Sequence, residues 1–384
     1  MPVTPPHRLV SLARSACGSA APQWSHDFAA DSPSGWVTLF TCASIEGMDG
    51  LLYNWMIGEG EGAAIPQDIR RSARRRHASR LLDYQVKHQA LEELLHDAGG
   101  EGLRVMILQG MAIADVLYPP GVRPLSDIDL LVRPDEFERT ERVLCARGYR
   151  MVSRYPPVYV RDGICIDLHR QLASLSRVEP TVNPLRIDET MLWSNAVSRA
   201  YGTAMAWVLS PIDQIALLSA HLQKHSFNRL IWFVDIGLLL NRLLAGTPFD
   251  AVRERAAQLS LEQPLYFVCT YLQRVLALPS LHSASMNTPP LTWAENRLAA
   301  WLMRDHRIDG MGDLLYLLSI RPRTLRRRFL RRIVFPNADM MREQAGSSSA
   351  TRIAWVYLAR CGRLTWQGVR LAGRLLQRRL QTDR

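Results

Sequence analysis

The chain has 384 residues, 47% of them hydrophobic, with 47 Lys and Arg against 36 Asp and Glu for a formal charge of +11. That length can bury a substantial core in two or three domains. The composition argues against several classes. The most apolar stretch, residues 230–244, carries Asp235 and Asn241 and is too short to span a bilayer, and Arg14 interrupts the weakly apolar start, so no secretory signal is read. The six cysteines are scattered without a C-x-x-C pair, which predicts reduced thiols and a cytoplasmic protein with neither a disulfide framework nor a zinc site.

In chain order, residues 1–35 are rich in Pro, Ser and Ala and read as a loose tail. Residues 36–98 read as a helical region. Apolar residues recur at helical spacing from Trp36 to Trp55, and residues 70–98 carry one stripe of Leu81, Leu82, Val86, Ala90, Leu91, Leu94 and Leu95 that Gly99 and Gly100 should end. The pattern then becomes mixed over residues 99–178. A short strand at 104–108 leads through Gln109 and Gly110 into a helix at 111–117, which Pro119 and Pro120 stop. A strand carrying Asp127 and Asp129 follows. Asp135 with Glu138 then has the spacing of a capping box. Strands at 149–153, 158–161 and 164–169 come next, the last two flanking the hairpin signal Asp162-Gly163. Residues 179–320 read as helical almost throughout. The final segment, 321–384, holds 16 Arg and no Lys against Asp339, Glu343 and Asp383, a net +13, whereas residues 1–320 sum to −2. That asymmetry fits either a solvated helix face or an anionic partner for the basic segment.

The chemistry concentrates in the mixed region. Residues two apart on a strand share a face, so Asp127 and Asp129 should stand together while Ile128, Leu130 and Val132 enter the core. Adjacent carboxylates repel and call for a cation, for which Mg²⁺ is the natural choice and Mn²⁺ an acceptable one. On the later strand Asp167 shares a face with Cys165 and His169, and it can join the pair if the strands are neighbours; His169 is read as flanking the site. Three carboxylates suit a two-metal centre for phosphoryl or nucleotidyl transfer. Gly110, between a strand and a helix, lets backbone N–H groups approach a phosphate. His221 and His225 are one turn apart, but no Glu follows His221 as a zinc protease requires; they are read as a polar helix face near the cleft with His225 or Lys224 near phosphate, and Asp235 as a buried or cleft-facing structural partner for an arginine. Glycosyltransferases also use Asp-x-Asp with a metal, but they need an α/β sheet ahead of the motif, where this chain reads as helix. No phosphate loop of the G-x-x-x-x-G-K-[ST] type is present.

Residues 107–112 (Ile-Leu-Gln-Gly-Met-Ala), Tyr118, the run from Arg123 to Val132 and Ile166-Asp167-Leu168-His169 together resemble an uncharacterised bacterial nucleotidyltransferase family of the polymerase-β-like superfamily. The resemblance runs from about residue 36 to the 321–336 region and takes in His221, His225 and residues 232–236. It implies an α+β fold, with a small polymerase-β-like sheet core flanked by N- and C-terminal helical regions. It implies Mg²⁺-dependent transfer of a nucleoside monophosphate from an NTP to a hydroxyl or phosphate acceptor, which is a small molecule, a protein or an RNA. By the same resemblance Asp127, Asp129 and Asp167 are the catalytic metal ligands and Gly110 contacts the phosphates; Gln109, Ser126 and Arg123 are read as nucleotide-binding beside it, with Arg123 or Arg170 the arginine that compensates for the charge missing at Gln109. The family commonly carries Lys where this chain has Gln109, and the superfamily often has Ser where it has Met111. Those two departures keep a second reading open: a nucleotide-binding module of the same fold without turnover, able to hold RNA or an acidic partner through its basic end.

Overall fold

The computed structural model describes residues 7–18, 33–58, 65–154, 157–172, 187–243, 246–281, 291–304, 311–321, 323–336 and 338–382. They form two compact units, the larger spanning residues 1–175 and 185–319 and the smaller 176–184 and 320–384.

The larger unit is built on one seven-stranded mixed sheet. Its strands are β1 (Val105–Ile107), β2 (Ile128–Val132), β3 (Arg150–Arg154), β4 (Pro157–Arg161), β5 (Ile164–His169), β6 (Val197–Tyr201) and β7 (Ala204–Val208), in the order β3-β4-β5-β2-β1-β7-β6. β2 and β1 run antiparallel, and each has a parallel neighbour on its other side, β5 and β7 respectively. The hairpin signal is fulfilled: Arg161 pairs with Ile164 across a two-residue turn in which Asp162 and Gly163 have φ of 50° and 81°. Both values are positive, as the turn that matches strand twist requires. The mixed α+β architecture follows the sequence reading.

Helices surround the sheet. α1 (His7–Ala16), α2 (Pro33–Glu46), α3 (Asp49–Gly58) and α4 (Gln67–Gly100) precede it; α5 (Gln109–Leu117) and α6 (Phe137–Ala146) lie within it; α7 (Glu189–Ser194) precedes its last hairpin. After the sheet come α8 (Pro211–Lys224), α9 (Leu230–Leu238), α10 (Phe249–Gln258), α11 (Glu262–Arg274), α12 (Trp293–Arg304) and α13 (Met311–Ser319). α4 ends at Gly100, where the Gly99-Gly100 pair was expected to stop it. There the Gly102 N–H bonds to Gly99 O and the Leu103 N–H to Ala98 O, with Gly102 at φ 68°.

Three expectations need correction. Residues 7–16 of the expected loose tail are helical, with Leu9, Leu12 and Ala13 buried. Their three- and four-residue spacing makes an apolar stripe, which packs on α9 where a Cβ on Gly237 would come within 2.8 Å of the Cys17 sulfur; residues 19–32 lie outside the described residues. The region from 179 to 320 is not helical throughout, because β6 and β7 add the sheet's far edge. Ala204, Ala206 and Val208 do alternate inward, but two of the three are alanines too small to stand out as strand residues. The capping box at Asp135 does not form, since α6 starts at Phe137 without a side-chain cap.

One buried network fastens the helices to the loop between α5 and β2. The Arg123 Nη2 donates to Asp235 Oδ2 at 2.8 Å and its Nε to both carboxylate oxygens, while the Tyr118 hydroxyl donates to Asp235 Oδ1 at 2.7 Å. Arg123 and Asp235 are 7% and 1% exposed, so neither charge has water as an alternative partner. Removing one partner of such a pair costs about 3–5 kcal/mol. Asp235→Ala is therefore expected to lower unfolding stability by about that amount in urea denaturation, and Arg123→Leu combined with Asp235→Leu is expected to cost less than Asp235→Ala alone.

Candidate active site

Strand register assembles the site. β2 and β5 pair in parallel with Asp129 opposite Asp167, between the apolar pairs Ile128–Ile166 and Leu130–Leu168. The flanking hydrophobics are all 0% exposed, so a slip of one residue would turn them out of the core. Along β5, Ile164, Ile166 and Leu168 are buried while Cys165, Asp167 and His169 occupy the other, half-buried face. A ligand atom from each of Asp129, Asp167 and His169 lies within 4.8 Å of the other two, the one such grouping of three acidic, histidine or cysteine residues among the described residues. His169 Nε2 is 3.0 Å from Asp129 Oδ1.

The electrostatics are those of a site overloaded with negative charge. Burial raises the Asp129 pKa, opposed by His169 and by the charge of Lys224 and assisted by Asp127. Asp167 is pushed up to about 6, first by burial and then by the Asp129 and Asp127 charges. The neighbouring Cys165 thiol is raised to about 11, mainly by burial with the same carboxylates adding to it. Buried carboxylates with a single imidazole among them match the donor set of a hard divalent cation, and the nitrogen ligand suits Mn²⁺ as well as Mg²⁺.

Asp127 lies one residue ahead of β2 and outside the three-residue cluster, although its charge is felt by both other carboxylates. Ser126 is exposed, and its hydroxyl donates to Asp127 Oδ1 at 2.6 Å. The loop holding both is pinned from α4, where the buried Lys87 Nζ donates to Leu125 O at 2.6 Å and to Asp83 at 2.8 Å. Lys87 was invisible in sequence as part of the site, because it sits on the same helix face as the apolar stripe. His169 was legible, since it shares the Asp167 face by strand alternation, and its proximity to Asp129 follows from the parallel pairing.

Gln109 and Gly110 open α5, immediately after β1. Gln109 has φ 50°, a left-handed conformation uncommon for a residue with a side chain. A Cβ on Gly110 would lie 2.4 Å from Arg123 Nη1. The glycine therefore makes room for the buried arginine, a packing reason the sequence did not disclose. Arg123 was expected at the nucleotide phosphates; its Nε and Nη2 instead engage Asp235, and its Nη1 donates to Pro124 O. Arg170, the alternative, has its guanidinium 3.8 Å from the centre of the Phe137 ring. Basic groups near the carboxylates come instead from the end of α8. His221 is half-buried and held well below its usual pKa, first by desolvation and then by His225, Lys224, Arg123 and His169. The His221 and His225 rings lie tilted with centres 4.5 Å apart, and both meet Trp232 edgewise or tilted at 5.2 and 5.3 Å. A cavity of about 30 Å³, water-sized, is lined by Gln109, Leu172, Gln214 and His221 among others. Two buried atoms of these residues, Gln214 Oε1 and His221 Nδ1, have no hydrogen-bond partner.

A family model described as an uncharacterised nucleotidyltransferase matches residues 32–277. The chain belongs to this uncharacterised nucleotidyltransferase family. The matched span takes in the whole sheet, the carboxylate cluster and helices α2 to α11, and it ends before the arginine-rich segment that the resemblance read from sequence had reached. No curated protein and no solved structure matches the chain.

For this nucleotidyltransferase-family chain, the raised Asp167 pKa has a defined sign. The folded protein holds a proton at Asp167 that the unfolded chain releases near pH 3.8, so the site's contribution to stability is present at low pH and is lost as pH rises through about 6. Asp167→Asn is accordingly expected to raise the metal-free melting temperature at pH 7.5. Mg²⁺ should raise the wild-type melting temperature, less so as pH falls below 6, and EDTA should reverse the shift; scanning calorimetry at several pH values measures all of these.

Proposed function

We propose that the protein is a Mg²⁺-dependent nucleotidyltransferase that moves a nucleoside monophosphate from an NTP to an acceptor hydroxyl or phosphate. The observation that carries this reading is the opposed pair Asp129 and Asp167 in the β2–β5 register, with Asp127 electrostatically coupled and His169 against Asp129. Family membership supports the reaction class.

Asp127, Asp129 and Asp167 would hold the divalent ions, Mg²⁺ or Mn²⁺, which when bound offset the triphosphate charge and make the acceptor hydroxyl easier to deprotonate. The protein's own groups account for the rest. Asp167, on the acceptor side, takes the acceptor's proton. The acceptor oxygen attacks the α-phosphorus, the bond from that phosphorus to the bridging oxygen breaks, and pyrophosphate leaves. His169 holds Asp129 in place through their 3.0 Å contact. The N-terminus of α5, opened by Gln109 and Gly110, offers backbone N–H groups to the triphosphate. Lys224, whose charge reaches Asp129, supplies positive charge on the phosphate side in place of Arg123, which positions the α5 entry from behind. Ser126 orients Asp127.

Incubation with Mg²⁺ and each radiolabelled NTP, with a panel of hydroxylated small molecules, RNA ends and proteins as acceptors, tests the reaction. Pyrophosphate release is expected, with Asp129→Asn and Asp167→Asn each lowering it by at least about a thousandfold, because loss of a ligand removes the charge that the transition state requires. Gln109 in place of the family's usual lysine favours the second reading. Saturable NTP binding with no pyrophosphate released in the presence of any acceptor would assign the chain to a nucleotide-binding module.

A further inference from the structure

The smaller unit carries a feature that nucleotidyl transfer does not use. Within it, α14 (Arg323–Val334), α15 (Ala338–Ala345) and α16 (Ala350–Thr382) are joined by contacts along one side of α16. The Tyr357 hydroxyl donates to Pro336 O at 2.8 Å, the Arg360 guanidinium to Ile333 O at 2.7 Å, and the Phe335 and Tyr357 rings lie 6.1 Å apart. The other side of α16 carries a repeat: Arg352, Trp355 and Leu358 recur as Arg363, Trp366 and Val369, each eleven residues on. Eleven residues make three helical turns, so the repeated positions stack into a straight stripe about 20 Å long. The stripe is bare, with Trp355, Leu358, Trp366 and Val369 at 68, 63, 62 and 57% exposed. Arg352 and Arg363, each three residues before a tryptophan, border it and are exposed as well.

We propose that this face of α16 is a docking site for an anionic membrane surface, on which the helix lies in the interfacial plane without crossing. Charge complementarity selects that occupant: residues 321–384 carry net +13, and residues 350–382 contain no Asp or Glu at all. A second copy of the same face would set arginines against arginines with no carboxylate to offset them. A nucleic acid backbone would want the arginines central and has no use for Leu358 and Val369, which here continue the tryptophan line. Tryptophan in the apolar stripe with arginine at its border is the arrangement that buries an apolar face at the headgroup boundary while its cations meet lipid phosphates. No helix among the described residues is long and apolar enough to cross a membrane.

The test uses the full chain in cosedimentation with vesicles of phosphatidylcholine containing one quarter phosphatidylglycerol, and with vesicles of phosphatidylcholine alone. Binding to the anionic vesicles is expected, weakening as salt is raised and at least about tenfold stronger than to the neutral ones. Trp355→Ser with Trp366→Ser, both at exposed positions and checked by circular dichroism, should weaken it by about tenfold or more, as should Arg352→Glu with Arg363→Glu. No binding to anionic vesicles, or binding that the tryptophan variant leaves unchanged, overturns the proposal. So does a single-stranded RNA affinity, or a dimer in sedimentation velocity, that depends on Trp355 and Trp366 while vesicle binding does not.

Discussion

Everything around the candidate active site depends on one pairing: two aspartates side by side in adjacent parallel strands, with apolar pairs above and below them. Ile128 with Ile166 and Leu130 with Leu168 hold the β2–β5 register by burial, and that register forces Asp129 and Asp167 together against their mutual repulsion. Hydrophobic packing thus sustains an electrostatically unfavourable arrangement. The carboxyl pKa values are raised at both residues, first by burial, with the Asp129 and Asp127 charges adding to the rise at Asp167, and the imidazole of His169 offsets part of it. Unfavourable carboxylate clusters held by a rigid scaffold are the usual preparation for binding a cation.

A second constraint governs the other side of the site. Arg123 reaches across from the loop before β2 to Asp235 on α9, passing so close to the start of α5 that only glycine fits at position 110. Tyr118 at the end of α5 joins the same carboxylate. The end of α5 is therefore tied to the same buried aspartate that holds Arg123 against its start. The resemblance implied a nucleotide contact for Arg123, whose guanidinium here is engaged with Asp235. An arginine in a sequence motif reads the same whether its partner is a ligand or a distant aspartate, and the separation of 112 residues between Arg123 and Asp235 hid that partner.

Much of the fold was legible where local signals were strong. The Asp162-Gly163 turn, the core strands and most helices of the larger unit stand where periodicity and turn chemistry put them. The misreadings share a cause. β6 and β7 are short and partly built from alanine, so their identity comes from pairing with each other and, through β7, with β1 rather than from β-branched residues. The α1 helix is held by docking on α9, which composition cannot reveal in a segment rich in Pro and Ser. Within the long α4, Leu82 and Val86 continue the apolar stripe yet stand exposed, while Lys87 beside them is buried because a backbone carbonyl of the loop before β2 receives its charge.

The sequence by itself determined the spacing that makes Asp127, Asp129 and Asp167 candidates, the mixed α+β core, the family resemblance and the concentration of arginine in the last 64 residues, since each of these is a property of composition or of spacing along the chain. Only the tertiary structure decided that β2 and β5 are parallel neighbours, that His169 stands against Asp129 while Asp127 lies just outside the cluster, and that Arg123 belongs to Asp235. Those are relations between segments far apart in sequence, set by which buried surfaces fit together, and alternation along a single strand carries no information about which strand lies next to it.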